Sequence, residues 1–459
     1  MDKKNTILDD ILNAREKRAL IRSQFVKTNL CTLSLSLNIA GYPKSNSIIS
    51  FFFTEVLDEL KPYLLANRIE LQYTKKLILK DKAGDFFIVP FSNELQNTVA
   101  LKKLSESFES THTLGRLIDI DIFNERGLPV SSGKKKPCYF CGEYSAISCM
   151  RNKRHTYEEI REKLSNEITK YLEVKHKELI INTLTSYASK AILYEISLSP
   201  KPGLVSFNDT GSHSDMNFFT FLNSSASLAP FFREFCLLGY QYSGKYEEVL
   251  AQIRNIGLRA EKAMFKATNN INTHKGIIFL FGISLFTISK LMSEKKGYND
   301  TEFRQIVTEI CKNIVADELK NTTNKALTNG EKVYAAYGTI GAGVRDEVEK
   351  GFPSIFYKSQ GHFEKHSTTL LSNNQHEIQQ ILQAGLLYIM AVNNDSNILH
   401  RSNLDTLKHI QTLAKKAIED SDAYTRLCDY CLEKNISPGG SADLLSVSLL
   451  LHFVKTEYL

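Results

Sequence analysis

The periodicity of the side chains changes between the two halves of this chain, and that change limits the folds open to it. In the first 124 residues, apolar and polar side chains alternate over 31–39 (CTLSLSLNI) and 116–123 (RLIDIDIF), and 69–80 and 85–90 are rich in β-forming residues. Strict alternation is typical of a half-buried strand. From about Tyr157 onward, apolar residues recur with helical spacing. We therefore expect a multidomain protein, with an N-terminal α/β or α+β domain followed by a mostly α-helical domain.

The junction between the halves is residues 157–179, a charged segment without proline or glycine. Such a segment predicts a helical connector, so we place the boundary near 165–178 and expect domains at 1–172 and 173–459. Helix starts in the second half are predicted at three capping-type residues, Thr273, Thr301 and Ser441.

Composition excludes several classes of protein. A chain of 459 residues with 42% hydrophobic and 24% charged residues predicts a soluble protein with more than one core. The longest apolar run, 276–292, is interrupted by polar residues and predicts a buried helix rather than a membrane span. The first 20 residues predict an amphipathic helix, not a secretory signal. Eight cysteines are too few for a disulfide scaffold, and we expect a cytoplasmic protein. A net charge of +6 favours anionic small molecules or an acidic protein as partners over nucleic acid.

The segment 195–216 (EISLSPKPGLVSFNDTGSHSDM) concentrates rigid turn residues and chemically active side chains. Prolines fix φ, while Gly203 and Gly211 permit left-handed backbone or close approach. The segment also supplies a cation, a titratable ring and a carboxylate, in Lys201, His213 and Asp215. His213 could equally be a structural ring, but an ordinary surface loop needs few of these residues.

Asp119 and Asp121 lie on one face of a predicted strand, because side chains alternate with a period of two. Two carboxylates aimed together suit Mg²⁺ bound to a polyphosphate. A solvated edge face would give the same pattern.

A second metal pattern is C-x2-C-x7-C-x5-H, formed by Cys138, Cys141, Cys149 and His155. Three thiolates and an imidazole complete a tetrahedral Zn²⁺ shell, which would be structural because it leaves no position for water. The alternative is a group of small buried thiols with a surface histidine.

Five segments of the second half resemble the triphosphoribosyl-dephospho-coenzyme A synthase family. They are 195–216, 270–285 (NINTHKGIIFLFGISL), 337–354 (YGTIGAGVRDEVEKGFPS), 387–403 (LYIMAVNNDSNILHRSN) and 436–445 (ISPGGSADLL). The resemblance implies that ATP and dephospho-coenzyme A are substrates and that the ATP ribose is joined to a hydroxyl of dephospho-coenzyme A with loss of adenine.

This chemistry needs cations and helix N-termini for the triphosphate, a proton or hydrogen bond for adenine and a base for the hydroxyl. We expect His213 and Asp215 to supply acid–base catalysis, and Asp395 and Asp443 to bind Mg²⁺. The expected substrate and phosphate contacts are Lys201, His274 and Lys275 behind an N-cap at Thr273, Arg345, Arg401, and the helix start at Gly439, Gly440 and Ser441. Each helix start could also be an ordinary cap. The family usually has an acidic residue at Asn394 and threonine at Ser396, and an insertion precedes Arg345.

Four segments of the first half resemble the holo-citrate lyase synthase family, whose members are phosphoribosyl-dephospho-coenzyme A transferases. They are REKRALIRSQF from Arg15, LSLSLNIAGYPKS from Leu33, GRLIDIDIFNERG from Gly115 and CYFCGEYSAISCMRNKRH from Cys138. The resemblance implies transfer to a serine of the apo-citrate lyase acyl carrier (gamma) subunit with release of pyrophosphate.

In that interpretation Asp119 and Asp121 hold Mg²⁺, and Arg116 and Lys44 contact phosphate. Lys44 could instead be a solvated loop lysine. Ser132 stands where the family tends to have arginine, and Lys134, Lys135 and Lys136 are possible substitutes, although lysine lacks the bidentate fork of arginine.

Together the patterns predict a bifunctional enzyme that makes the citrate lyase prosthetic-group precursor and attaches it. One alternative is a zinc-binding adaptor or nucleic-acid-binding protein with a regulatory helical half. Another is an enzyme with one inactive half, in which the altered loop at Ser132 points to the N-terminal one.

Overall fold

The structure is a computed structural model that describes residues 3–92, 97–131, 133, 136–294, 297–320, 328–370, 372 and 374–457. Contacts divide the chain into two compact units, Met1–His176 and Lys177–Leu459. The predicted helical connector is part of a 41-residue helix, Tyr157–Ser197.

The N-terminal unit is an antiparallel sheet with helices, so the α+β alternative is the right one. Its elements are α1 (Lys3–Val26), β1 (Cys31–Leu37), α2 (Ser47–Ala66), β2 (Leu77–Asp81), β3 (Gly84–Phe91), α3 (Thr98–Thr111), β4 (Ile118–Phe123), α4 (Ala146–Arg151) and the first half of α5 (Tyr157–Ser197). The strand order is β2-β3-β1-β4. The β-rich segment 69–80 is a strand only from Leu77 onward, since Tyr73–Lys75 forms a turn of 3₁₀ helix.

The two faces of the sheet differ in chemistry. Leu33 and Leu35 of β1 face the core together with Ile118, Ile120 and Ile122 of β4, and all five are buried. The opposite face carries hydroxyls and carboxylates, because Ser34 is paired with Asp121 and Ser36 with Asp119. The predicted placement of both aspartates on one face is confirmed.

Helix α1 packs against this polar face through Arg18 and Arg22, which are four residues apart in sequence. The Arg18 guanidinium lies 4.5 Å from the ring centroid of Phe86, and that of Arg22 lies 3.5 Å from the ring centroid of Phe123. Because side chains at this spacing share a helix face, α1 sets a row of cations beside the sheet carboxylates.

Strand β4 is an edge strand whose free backbone groups are covered by α3. The Ile120 N–H donates to Glu109 Oε1 at 2.8 Å, and Lys102 Nζ donates to the Ile120 carbonyl at 2.8 Å. Covering the edge satisfies backbone groups that could otherwise pair with another chain.

The second unit is helical, with no strand among its described residues. Its elements are the rest of α5, α6 (Phe218–Gln241), α7 (Tyr246–Ala267), α8 (Lys275–Ser293), α9 (Asp300–Ile310), α10 (Asn329–Tyr337), α11 (Val344–Glu349), α12 (Gln360–Lys365), α13 (Ser367–Leu370), α14 (Gln375–Met390), α15 (Ser396–Arg401), α16 (Leu404–Ala417), α17 (Ser421–Glu433) and α18 (Gly439–Glu457).

Helix α8 contains the predicted buried apolar run. Among the described residues it is the one helix long and apolar enough to cross a membrane, but 78% of its most apolar window is buried inside the unit. Helices α6, α7 and α18 pack around it, which makes it the central helix of the second core.

None of the three residues predicted to cap a helix occupies the cap position. The α9 cap is Asn299, whose side chain accepts from Thr301 N, two residues before the predicted start at Thr301. His274 occupies the cap position of α8, while the Thr273 hydroxyl donates to Ser224 Oγ instead. Helix α18 already begins at Gly439, so Ser441 lies inside its first turn and Asp443 follows that turn. Asn299 satisfies free N–H groups of α9, and Asp395, distant in sequence, accepts from Ser441 N of α18.

Helices α6 and α8 approach closely at Gly239, where an added Cβ would lie 2.2 Å from the Phe286 carbonyl oxygen. We expect Gly239→Ala to force the helices apart and to lower the free energy of unfolding by about 1–3 kcal/mol. The control is Gly257→Ala in α7, where the nearest atom would lie at an ordinary 3.6 Å. There alanine should be neutral or stabilising by up to about 1 kcal/mol. Urea denaturation measures both, and equal effects would contradict the close packing.

Candidate active sites

The loop between α5 and α6 places the conspicuous segment 195–216 against the start of α18. Gly203 and Gly211 have φ angles of +61° and +58°, and a Cβ on Gly203 would lie 1.9 Å from the Ile436 carbonyl oxygen. Both glycines therefore adopt the left-handed backbone that was predicted, and Gly203 also provides the predicted close approach. The Ser212 hydroxyl donates to the same carbonyl at 2.8 Å, so the first and last of the five sequence segments lie together.

Lys201 is not a free cation but one half of a buried ion pair. Its Nζ lies 2.7 Å from Glu195 Oε1, and the two side chains are 2% and 7% exposed. A buried pair is strongly destabilised when one partner is removed, by about 3–5 kcal/mol, because the other charge stays buried. The pair therefore fixes the loop to the end of α5.

His274 is buried and uncharged, which corrects the expectation of a positive group at this helix start. Burial and the charge of Lys201 lower the pKa of His274 to about 3. Its Nδ1 lies 2.7 Å from Ser224 Oγ. Its Nε2 is buried without a hydrogen-bond partner among the described residues.

Asp395 occupies the helix start that was predicted to receive a substrate anion. It is 1% exposed, its Oδ2 accepts from both N and Oγ of Ser441 at 2.7 and 2.9 Å, and its Oδ1 accepts from Asn397 N at 2.9 Å. One carboxylate thus caps both α15 and α18. Burial nevertheless raises its pKa against these hydrogen bonds.

Asp443 is the carboxylate without a donor. No hydrogen bond reaches it from the described residues, and burial together with the charges of Glu195 and Asp395 raises its pKa well above the usual range. A Cβ on Gly276 in the first turn of α8 would lie 1.9 Å from Asp443 Oδ2, so only glycine leaves room for this carboxylate. Glu195, Asp395, Asp443, Lys201 and His274 form what we call the carboxylate cluster.

His213 and Asp215 line a separate cleft of about 390 Å³, with Arg401 and Lys434. His213 Nε2 lies 2.8 Å from Ser437 Oγ, and Arg401 donates to His213 Nδ1 at 3.4 Å. Burial and the Arg401 charge lower the pKa of His213, while Asp215 opposes the shift from 3.8 Å away. Asp215 is 60% exposed. The cleft is basic and polar, as an anion site requires.

The remaining predicted cations of the helical unit have acidic partners. Lys275 is exposed and pairs with Glu261 at 3.0 Å, and Arg345 Nε donates to Glu318 at 2.8 Å. A larger groove of about 760 Å³ beside Pro200 is lined by four glutamines, His376, two acidic residues (Glu419 and Asp420) and several small or apolar residues. With no lysine or arginine in its lining, that groove is unsuited to a triphosphate.

In the N-terminal unit, Asp119 and Asp121 differ in their partners. Asp119 Oδ1 accepts from Lys136 Nζ at 2.9 Å, and the same lysine lies 3.0 Å from Glu109. Asp121 receives no hydrogen bond from the described residues, and burial and the charge of Asp119 raise its pKa. The positive charges of Lys102, Arg22 and Lys136 partly offset that shift. This polar face is the candidate site of the sheet.

Lys44 and Arg116 both donate to loop carbonyls. Lys44 Nζ donates to the Ile39 carbonyl at 2.6 Å, and burial together with Arg15 and Arg161 lowers its pKa. Arg116 Nη2 donates to the Pro137 carbonyl at 2.5 Å, which places it near the cysteine loop. Ser132, Lys134 and Lys135 lie outside the described residues, so the proposed replacement of an arginine is represented by Lys136 alone.

The four predicted zinc ligands converge. One ligand atom from each of Cys138, Cys141, Cys149 and His155 lies within 4.8 Å of all the others. His155 Nε2 is buried without a partner among the described residues, and hydrogen bonding to the Tyr144 backbone lowers the pKa of Cys141 to about 6. Three sulfurs and one imidazole at these separations can hold a metal ion.

Three contributors escaped the sequence analysis: Glu195, Ser224 and Arg22. Glu195 follows the buried residues Ala188, Ala191 and Ile192 on one stripe of α5, and Ser224 begins the buried stripe of α6. A polar residue at a core position of an amphipathic helix was the available signal for both. Arg22 could have been found from its spacing to Arg15 and Arg18.

Comparison with known proteins assigns each unit. Residues 6–171 match the family model of apo-citrate lyase phosphoribosyl-dephospho-CoA transferase, and residues 181–458 match that of ATP:dephospho-CoA triphosphoribosyl transferase. Protein CitXG of Haemophilus influenzae is 33% identical over 96% of this chain and 95% of its own length. Protein CitXG of Leuconostoc mesenteroides is 28% identical over 97% and 96%. The 2-(5''-triphosphoribosyl)-3'-dephosphocoenzyme-A synthase of Haemophilus ducreyi is 34% identical over 67% of this chain and 97% of its own length.

The two units therefore define a bifunctional transferase. The chain belongs to the CitXG family, in which the two transferase domains are fused. The predicted pair of activities is confirmed, and it replaces the adaptor and nucleic-acid-binding alternative.

The burial of Asp443 beside other carboxylates predicts that the free energy of unfolding depends on pH. Because its pKa is raised in the folded protein, the folded state binds this proton more tightly than the unfolded state, and stability falls as pH rises. Asp443→Asn removes the titrating charge, so at mildly alkaline pH it should raise the melting temperature, by roughly 2–4 °C for each kcal/mol gained. The gain should shrink as the pH is lowered.

Scanning calorimetry across pH measures this effect. The exposed Asp429→Asn is the control, since no comparable crowding surrounds it. A melting temperature of Asp443→Asn equal to or below that of wild type at alkaline pH would contradict the crowding.

Proposed function

We propose that the carboxylate cluster is the synthase site. The reaction breaks the bond between adenine and C1′ of the ATP ribose, with the electron pair leaving on adenine, and joins C1′ to a hydroxyl oxygen of dephospho-CoA. The hydroxyl loses a proton and adenine gains one, so the products are adenine and triphosphoribosyl-dephospho-CoA. The observation that carries the proposal is the convergence of three carboxylates, a buried lysine and an unpartnered histidine nitrogen.

Asp443 is the strongest candidate for the general base. Its carboxylate has no hydrogen-bond donor among the described residues, and its raised pKa brings it nearer the range in which a base accepts a proton efficiently. His213 and Asp215, the predicted acid–base pair, lie in the basic cleft, and there the His213 ring nitrogens already have Ser437 and Arg401 as partners. This cleft is better suited to holding a phosphate group of a substrate.

Mg²⁺ fits the cluster. Magnesium prefers carboxylate oxygens and keeps several waters. Asp443 offers oxygens that accept no hydrogen bond from the described residues, and it lies beside the charges of Glu195 and Asp395. Asp395 would hold the ion directly and Asp443 would hold it through a bound water, so that the ion neutralises triphosphate charge and the Asp443 carboxylate stays free to accept a proton. The N–H groups of Gly440 and Ser441, which follow Gly439 at the start of α18, orient Asp395, and Lys201 orients Glu195. Lys275, Arg345 and Arg401 remain proposed phosphate contacts.

In the N-terminal domain we assign the transfer of phosphoribosyl-dephospho-CoA to a serine of the apo-citrate lyase acyl carrier subunit, with pyrophosphate as leaving group. Asp119 and Asp121 would hold Mg²⁺, whose charge would offset the burial and the repulsion from Asp119 that raise the pKa of Asp121. Arg116 and Lys44 are proposed phosphate contacts, and Lys102, Arg22 and Lys136 supply opposing charges. Because both substrates of the first step are soluble metabolites, a cytoplasmic location fits.

The domains proposed from the sequence are 1–172 and 173–459, and the two family models, covering 6–171 and 181–458, support this division. Fusion keeps the intermediate close to its second site by raising its effective concentration.

Two isosteric variants test the division of labour. Asp119→Asn should abolish the mass increase of the carrier subunit while leaving adenine release from ATP and dephospho-CoA within about twofold of wild type. Asp443→Asn should lower adenine release by about 10²–10⁴-fold, the usual effect of losing a general base. The variant should still modify the carrier when it receives triphosphoribosyl-dephospho-CoA made by wild type.

Adenine release is followed by chromatography and carrier mass by mass spectrometry. The exposed Asp58→Asn, whose partner Lys61 is one turn away, is the control and should retain both activities. Equal loss of both activities in either site variant would refute separate sites.

The cysteine cluster is proposed as a structural Zn²⁺ site. The donor set is the tetrahedral one that zinc prefers, and His155, whose Nε2 is buried without a partner among the described residues, would supply the fourth ligand. Purified protein should contain about one zinc per chain by atomic absorption, and Cys149→Ser should lose it and destabilise the N-terminal domain. Cys428→Ser, which changes a helix cysteine outside the cluster, should keep it. Equal zinc in the two variants would overturn the assignment.

A further inference from the structure

A buried chain of hydroxyl groups ends on His274. The Thr273 hydroxyl donates to Ser224 Oγ at 2.7 Å, and Ser224 Oγ lies 2.7 Å from His274 Nδ1. Ser224 is fully buried and His274 is 3% exposed.

This chain favours the tautomer of His274 that carries its proton on Nε2. Since Ser224 Oγ accepts the hydrogen of Thr273, its own hydrogen is free to donate, and the acceptor in reach is His274 Nδ1. The ring is neutral because burial and Lys201 disfavour its charged form. The single ring proton therefore lies on Nε2.

The Nε2–H group is then a buried donor with no acceptor among the described residues. Leaving such a donor unpaired costs about 1–3 kcal/mol, and native proteins pair nearly all such groups. An acceptor on a bound substrate would remove this cost.

The surroundings favour a neutral acceptor over a phosphate oxygen. The one charge that shifts the pKa of this ring is that of Lys201, and Lys201 is already paired with Glu195, so the described residues leave no free cation beside the ring to hold a phosphate. The Phe221 ring meets the His274 ring edge to face, with centroids 4.9 Å apart, and provides an apolar wall. A flat heterocycle with ring nitrogens matches both features.

We propose that His274 donates its Nε2–H to a ring nitrogen of the adenine of ATP, and that Ser224 and Thr273 are positioning residues that hold its tautomer. The inference rests on the proposed synthase site. As the bond from C1′ to adenine breaks, its electron pair increases the negative charge on the ring nitrogens, so this hydrogen bond strengthens in the transition state. His274 gives a hydrogen bond and no proton, and the proton that adenine gains balances the one lost by the attacking hydroxyl.

Deaza analogues of ATP test the contact, because each replaces one ring nitrogen by C–H. Wild type should turn over one of the three analogues, 1-, 3- or 7-deaza-ATP, about 10²-fold more slowly than ATP. The other two analogues show how much a deaza substitution slows turnover without loss of this hydrogen bond. His274→Ala should lose that discrimination, and His274→Gln, whose amide places an N–H near the Nε2 position, should restore part of it. If wild type uses all three analogues like ATP, or if His274→Ala discriminates as wild type does, the contact is refuted.

Ser224→Ala tests the positioning role. Removing the donor to Nδ1 frees the other tautomer, so kcat should fall about tenfold with a smaller change in KM, and discrimination against the same analogue should weaken. The control is Ser225→Ala on the same helix, whose hydroxyl donates only to the Phe221 carbonyl among the described residues. Equal analogue discrimination in the two serine variants would overturn the positioning role.

The outcomes separate this inference from the proposed function. Absence of adenine release by wild type with ATP, Mg²⁺ and dephospho-CoA would refute both. Normal release with no dependence of analogue discrimination on His274 would refute the adenine contact alone.

Discussion

Both halves of this protein depend on one constraint, which is that carboxylates lie beside one another with too few hydrogen-bond donors. Asp443 in the helical half and Asp121 on the sheet each lie beside another carboxylate and receive no hydrogen bond from the described residues. Such crowding costs stability, and a fold keeps it only where the surroundings hold the groups in place. A bound cation and a polyphosphate substrate would relieve the repulsion in both places.

The two halves hold their carboxylates by different means. On the sheet, the period of two in β4 aims Asp119 and Asp121 at one face, and Lys136 and Arg22 supply charge from outside the strand. In the helical half the groups come from distant segments. Glu195 is fixed by Lys201, and Asp395 is fixed by the start of α18.

Local patterns predicted what local physics controls. The alternation in 116–123 predicted that two aspartates share one face of a strand, and the apolar run 276–292 predicted the central helix. Both features depend on residues that are neighbours in sequence. The role of Lys201 could not be predicted, since a lysine between prolines resembles a phosphate ligand until its pairing with Glu195 is known. The predicted positive charge of His274 is wrong because the ring is buried, and the predicted cap at Thr273 is wrong because Thr273 contacts Ser224. Both burial and this contact are tertiary features that the local sequence does not show. Asp395 was expected to bind a metal. Its role as the cap of both α15 and α18 could not be predicted, because it requires two helices that are distant in sequence to meet.

The most direct test of the central claim is the pKa of Asp443 itself, measured as the infrared titration difference between wild type and Asp443→Asn, with and without Mg²⁺ and ATP. The account predicts a protonated acid whose pKa lies well above that of an ordinary aspartate, and a fall in this pKa when Mg²⁺ and ATP bind. An ordinary pKa, or a raised one that Mg²⁺ and ATP leave unchanged, would contradict the carboxylate cluster as the synthase site.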